Sequence, residues 1–292
     1  MKRDVLPIPP SAILAAVDLS RVSLAAWKQA SLLSAAFRTP LEAVFVNEQR
    51  PFATVGDERF DLTKPLEREV AGRIREKLGR KVVVHVLEGA AAEGLRSFSA
   101  RMPGRWLVMG THGRSGLRRL VLGSVAEAVA IRPPIPVLAV RDQARSIRSI
   151  LAPVTADLES RRAFEFAAEL AWRLGARLTP LHVAASGAAR ADAAALVSRL
   201  QAGLPAALRA GCAPALVVSG RVESAVVAAA ARHDLVVLRA DREFALSEAL
   251  SGGTTERILR RSPAPVLVLP ADAGLRSGPA GPAARGASGA RA

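Results

Sequence analysis

The chain alternates short, nearly continuous apolar runs with longer segments in which apolar residues return every three or four positions. The first kind has the length of a buried strand and the second the period of an amphipathic helix. Ala12 to Val17 is predicted as the first strand and ends in Asp18-Leu19-Ser20, with Ser20 placed to cap a helix carrying Leu24, Trp27 and Ala30 on one face. Leu41 to Val46 is a second strand. Arg50 to Phe60 is mixed in character and reads as a loop. In the helix that follows, Leu62, Leu66, Val70, Ile74 and Leu78 make one stripe, with Glu67, Glu69, Arg73, Arg75 and Lys77 outside it. Val82 to Leu87 is a third strand, Ala91 to Ala100 a short helix, Trp106 to Met109 a fourth strand and Pro136 to Val140 a fifth. Strands that are apolar on both sides and alternate with helices predict an α/β fold with a parallel sheet covered on both faces.

The same order returns after Arg145. Ile147 to Val154 reads as a strand, Ser160 to Leu174 as a helix with Phe164, Ala167, Ala171 and Leu174 on one face, and Leu178 to Val183 as a strand. A helix from about Ala191 to Leu208 and strands at Ala215 to Val218, Leu235 to Leu238 and Pro265 to Leu269 complete the copy. Aligning Arg132-Pro133-Pro134-Ile135-Pro136 with Arg261-Ser262-Pro263-Ala264-Pro265, a shift of 129, brings Gly123 onto Gly252 and Glu127 onto Glu256 without a gap. This is an internal duplication, with expected domains at 1–146 and 147–270. Residues 271–292, rich in Gly, Ala, Pro, Ser and Arg without periodicity, are expected to form a disordered tail.

The candidate chemistry lies at Val108-Met109-Gly110-Thr111-His112-Gly113-Arg114 and, after Leu122, at Gly123-Ser124-Val125. An apolar strand stops at a glycine, and a small-residue step opens a helix-favouring run. Glycines at a strand end allow a sharp turn and a close approach of backbone N–H groups to a ligand, while a helix start offers free donors and the positive end of the helix dipole. An anion such as a phosphate suits that arrangement.

Gly110, Gly113, Gly123 and Ser124, spaced G-x-x-G, nine residues, then G-S, together with Asp18 at the end of the first strand, resemble the nucleotide-binding pattern of the universal stress protein (UspA-like) family. The resemblance covers the chain to about Pro270 and implies the tandem form. It would consist of two doubly wound parallel-sheet domains of the Rossmann-like or flavodoxin-like, adenine nucleotide alpha hydrolase-like kind. It further implies ATP as ligand, with Asp18 at the adenine or ribose, Val46 and Met109 at the adenine, and Gly110, Gly113, Gly123, Ser124 and Val125 at the ribose and phosphates. Acidic residues near the loop are few, so any Mg²⁺ would be held mainly by the phosphates and water. On the residues alone, Asp18 also fits a helix-capping acid, Val46 and Met109 fit strand-end packing, and His112 fits an exposed loop histidine. Arg114 beside the loop can clamp a phosphate bidentately.

The second copy departs from the pattern. Gly110 and Gly113 fall on Arg239 and Arg242, Ser124 on Gly253 and, by the first-strand alignment, Asp18 on Thr155. One nucleotide per chain is therefore expected, in the first half, with the second half a degenerate, structural partner. In single-domain members of the family the last strand pairs with its twin across a dimer axis. The resemblance thus implies that Val137 to Val140 and Val266 to Leu269 pair within this chain, a homodimer of whole chains remaining open as a further assembly.

Composition narrows the classes. Half of the 292 residues are apolar, ample for two cores, and the single Cys212 excludes an intrachain disulfide or a Cys-x-x-Cys site, which points to a reducing cytoplasm. No apolar run approaches the ~20 residues of a membrane span, and Met1-Lys2-Arg3 leads into Asp4 and three early prolines rather than an export signal. The net charge of +15 is spread, with 23 Lys+Arg against 14 Asp+Glu in residues 1–146 and 18 against 12 thereafter. Tyrosine is absent and the eight phenylalanines are scattered, so nucleic acid is not an expected partner. Sequence motifs for a P-loop, a G-x-G-x-x-G turn, a nucleophile elbow and a zincin helix are all absent. His85, His112, His182 and His233 lie far apart, the first and third within apolar strands, and suggest no metal site. The function expected is ATP binding in a stress response or its regulation. The rivals are a tandem scaffold that binds no nucleotide and regulates a partner protein by contact, and a slow ATPase or self-phosphorylating protein.

Overall fold

Apolar runs of four to eight residues recur throughout the computed structural model as strands, joined side by side into one ten-stranded sheet. Residues 7–48, 52–55, 58–61, 63–111, 122–184, 189–240 and 253–271 are described, those from 52 to 63 by their backbone alone. In the first half, β1 (Ile13–Ala16) is followed by α1 (Arg21–Phe37), β2 (Leu41–Asn47), a hairpin of β3 (Phe52–Val55) and β4 (Glu58–Asp61), and α2 (Thr63–Leu78). Then come β5 (Val83–Glu88), α3 (Ala91–Ala100), β6 (Trp106–Gly110), α4 (Ser124–Ile131) and β7 (Val137–Val140). The second half runs β8 (Ser149–Pro153), α5 (Leu158–Leu174), β9 (Arg177–Ala184), α6 (Arg190–Ala202), α7 (Ala206–Arg209) and β10 (Leu216–Ser219). It ends with α8 (Val222–Ala230), β11 (Leu235–Arg239), α9 (Thr254–Arg261) and β12 (Val266–Leu269).

The strand order is β10-β9-β8-β11-β12-β7-β6-β1-β2-β5, so each half repeats one doubly wound order in mirror sequence about the β12–β7 seam. Every pairing in this sheet is parallel except the seam, where Val266, Leu267 and Val268 oppose Ala139, Leu138 and Val137 in antiparallel register. The pairing expected of the two last strands is therefore present. All four residues of both strands are buried, since each strand is central in the joined sheet and helices cover both of its faces. Successive residues feed opposite layers: Leu138 and Leu267 pack on one face, Val137 and Val266 on the other. Both layers run through the two halves, and on one of them Trp106 of β6 lies 5.8 Å from Phe166 of α5, ring centre to ring centre.

Local signals explain most boundaries. Ser20 caps α1 by accepting from Ser23 N at 3.2 Å, and Asp157 caps α5 by accepting from Ser160 N at 2.7 Å. Three readings require correction. The stretch Arg50 to Phe60, read as loop, contains the hairpin strand β3 and most of β4. The single helix expected over Ala191 to Leu208 is two, because Gly203-Leu204-Pro205 interrupts it and Pro205 starts α7 with its backbone at φ −50°. Helix α8 was not foreseen. Its sequence VESAVVAAA is almost uniformly apolar and small, so no polar face marks a helical period. The tail predicted at 271–292 lies, apart from Ala271, outside the described residues.

Candidate functional site

At the carboxyl ends of β1, β2 and β6 the first half opens into a cleft of about 470 Å³. The position follows from topology: β1 sits between β2 and β6, and the connection leaving β1 runs through α1 to β2 on one side while that leaving β6 runs to β7 on the other, which parts the chain there. Seven of the nine sequence-predicted residues line it: Asp18, Val46, Met109, Gly110, Gly123, Ser124 and Val125. Gly113 and Arg114, with His112, lie outside the described residues. The wall includes further residues that sequence reasoning passed over, notably Asn47, Glu48, Leu95 and Thr111. Their signal was available, because Asn47 and Glu48 follow directly on Val46 at a strand's carboxyl end and Thr111 follows Gly110.

The turn after β1 is tightly built. Leu19 has φ +64°, the left-handed region that a residue with a Cβ enters only at some cost. Around it, Asp18 N donates to Ser23 Oγ at 3.3 Å and Ser20 N donates to Asp18 Oδ1 at 2.9 Å. Asp18 is thus not the residue that caps α1, a role taken by Ser20. Its carboxylate instead orders the turn and stands half-buried on the cleft wall.

The end of β6 and the start of α4 meet through Thr111. Thr111 is buried, its N–H bonds Val140 O at 2.9 Å, and its carbonyl accepts from Gly123 N at 2.6 Å. Gly110 has a packing reason for being glycine: a Cβ there would stand 2.9 Å from Val22 Cγ1 and 3.1 Å from the Val22 carbonyl carbon. Its absence lets the first turn of α1 press against the end of β6.

Two helices begin at the cleft, and they differ. Ala91 N at the head of α3 donates to Glu48 Oε1 at 3.2 Å, so that end already holds a carboxylate. Helix α4 starts after Gly123, whose lack of a side chain leaves the first turn without a side-chain cap, and Ser124, Val125 and Ala126 all line the cleft. The first N–H groups of a helix lack intrahelical partners and carry partial positive charge. The cleft therefore has an anion-accepting end at α4, an apolar floor of Val44, Val46, Leu95 and Met109, and carboxylates at Asp18 and Glu48. Among the described residues no group of three or more His, Cys, Asp or Glu side chains could hold a metal ion. A cation accompanying a polyphosphate would be held by the phosphates and water.

The counterpart in the second half is built differently. The turn after β8 repeats the scaffold, Thr155 N donating to Ser160 Oγ at 2.7 Å as Asp18 N does to Ser23. At the end of β11, however, Arg239 replaces Gly110, and its guanidinium pairs with Glu159, which also binds Arg162 Nη1 at 3.3 Å. Glu159 is the counterpart of Val22 under the first-strand shift of 137.

Comparison with known proteins agrees with this architecture. The sequence model of the Universal stress protein family matches residues 11–141 and again 146–270. A universal stress protein of Methanocaldococcus jannaschii is 33% identical over 137 residues, which cover 44% of this chain and 81% of that protein. Universal stress protein A homolog 1 of Coxiella burnetii is 32% identical over 136 residues, covering 44% of this chain and 94% of that protein. The crystal structure of a universal stress protein from Archaeoglobus fulgidus superposes with a TM-score of 0.65 at 20% identity, over 89% of this chain and 98% of the other. That last likeness is one of fold.

Proposed function

Because the chain belongs to the universal stress protein family, whose sequence model matches both of its halves, we propose that it is an ATP-binding member with one nucleotide site per chain, acting in the cytoplasm in a stress response or its regulation. On this reading residues 1–146 form the nucleotide-binding domain and 147–270 a degenerate partner domain. The observation that carries the proposal is the start of α4, whose N-cap Gly123 has no side chain to cap it, opening on a cleft with an apolar floor and the carboxylate of Asp18. Phosphates belong at Gly123, Ser124 and Val125, at a helix start whose N-cap residue offers no side chain, the Gly123 N–H itself being held by Thr111 O. The base belongs against Val46 and Met109, with Asp18 accepting from its amine or from the ribose hydroxyls. Gly113 and Arg114 complete the phosphate end in this proposal. Slow turnover of a bound nucleotide is the most catalysis this reading includes.

The test is stoichiometry. Protein purified without added nucleotide is denatured and the released small molecules are identified by mass, and the stripped protein is titrated with ATP by calorimetry. One adenine nucleotide per chain is expected. Two equivalent sites would overturn the degenerate second domain, and no binding at all would favour the scaffold that regulates a partner by contact.

A further inference from the structure

A side chain of the second half reaches the helix that begins at the first half's cleft. Glu127 lies in the first turn of α4, three residues after Ser124, and its backbone N–H bonds Gly123 O at 2.9 Å. A carboxylate so close to a helix start stabilises the helix but competes with any anion seeking the same N–H groups. Glu127 does not stand alone. Arg260, in the last turn of α9 in the second half, reaches across the seam and places Nη2 2.6 Å from Glu127 Oε1 and 2.8 Å from Glu256 Oε1. Glu127 and Glu256 are equivalent positions of the two copies, so one guanidinium neutralises the same first-turn acid of both halves. The arrangement is one-sided, because the counterpart of Arg260 in the first half is Ile131. A second tie fixes Arg260 in place: Arg141, just beyond β7, donates from Nη2 to Arg260 O at 2.6 Å and to Leu259 O at 3.3 Å, closing the carbonyl end of α9.

We propose that Arg260 is a positioning residue for the first half's site, screening Glu127 so that the start of α4 can accept a polyphosphate. This rests on the nucleotide reading of the cleft. It gives the second half a task in the site although it has itself lost Asp18 and Gly110. An effect that passes through charge grows with the charge of the ligand, whereas a merely structural weakening of the seam affects all ligands alike.

The experiment titrates ATP, ADP and adenosine into the intact protein, into Arg260→Gln and into Glu127→Gln/Arg260→Gln. Arg260→Gln is expected to weaken ATP about three- to tenfold, ADP less and adenosine not measurably, with the loss shrinking at high salt. The double variant is expected to recover ATP affinity to within about twofold of the parent. Unchanged ATP affinity in Arg260→Gln, or an equal loss for all three ligands, would overturn the inference while leaving the nucleotide site standing. A parent protein that binds none of the three would overturn the nucleotide reading and this inference with it.

Discussion

The two halves share a scaffold and differ where the chemistry would be. Under one shift of 137, Ile13 opposite Leu41 becomes Ile150 opposite Leu178, and the serine hydroxyl that receives the turn N–H is kept, Ser23 in one and Ser160 in the other. Even the helix ends correspond: α1 closes on Arg38 at φ +53° and α5 on Gly175 at φ +65°. At the end of the fourth sheet strand of each half, β6 and β11, the exchange involves a facing pair. Gly110 against Val22 becomes Arg239 against Glu159, so a close steric contact is replaced by an ion pair whose arginine side chain is only 11% exposed. The lesson concerns the glycine. In the first half it is required by the packing of α1 whether or not a ligand comes near, and the second half could lose it only by rebuilding the facing residue as well.

The largest expected effect breaks what the halves have in common. Leu267 is 1% exposed and pairs with Leu138 at the seam. Leu267→Asp would bury a carboxylate with no cation beside it in the strand, costing about 3–5 kcal/mol, and would free an apolar edge. Loss of a single cooperative melting transition and growth of associated species in X-ray scattering are expected. A variant that scatters as the same particle and melts unchanged would show that the seam does not hold the halves together.

A smaller effect separates the two strand ends. In Gly110→Ala the new Cβ collides with the Val22 backbone, which cannot move aside as a flexible side chain would, and a loss of about 1–3 kcal/mol is expected in urea unfolding. Gly94→Ala is the control. A Cβ there meets Val46 at an ordinary 3.5 Å, and alanine favours the helix, so that variant should be neutral or more stable. If Gly110→Ala unfolds at the parent midpoint, the contact is not what keeps the glycine.

The strands of the large sheet were legible because a parallel sheet buries both faces of each strand, and runs such as Trp106-Leu107-Val108-Met109 announce that directly. Four cleft positions, Asp18, Gly110, Gly123 and Ser124, were legible because residues at strand ends and helix starts also form turns, and turns favour glycine, serine and aspartate, whereas Val46, Met109 and Val125 were expected from the family resemblance alone. What was missed is long-range or unpatterned. Glu159 and Arg239 stand 80 residues apart, and Arg260 and Glu127 133, so only the folded chain brings them together. Helix α8 has no polar stripe to reveal its period, and β3 and β4 pair only with each other among the described residues, outside the large sheet whose burial marks the other strands.

The smallest effect distinguishes the two caps by pH. Ser20 and Asp157 occupy equivalent positions and make equivalent bonds to Ser23 N and Ser160 N, so replacing either with alanine should cost about 1 kcal/mol near neutral pH. Burial alone would raise the pKa of the Asp157 carboxyl. Hydrogen bonds from the Thr155 hydroxyl and from the N–H groups of Ser160 and Glu159 outweigh it and hold the group below its ordinary range. A carboxyl with a lowered pKa in the folded chain binds protons more readily when unfolded. Its contribution is therefore complete above the unfolded value of about 4 and is lost as pH falls through the lower folded value. The hydroxyl of Ser20 does not titrate in this range. The penalty of Asp157→Ala should accordingly shrink as pH falls below about 5, while that of Ser20→Ala stays constant, both read as urea midpoints against the parent at each pH. The change will be modest because the carboxylate is largely in contact with water. Two penalties that fall in parallel would mean that the acid sensitivity belongs to the whole molecule and not to the cap of α5.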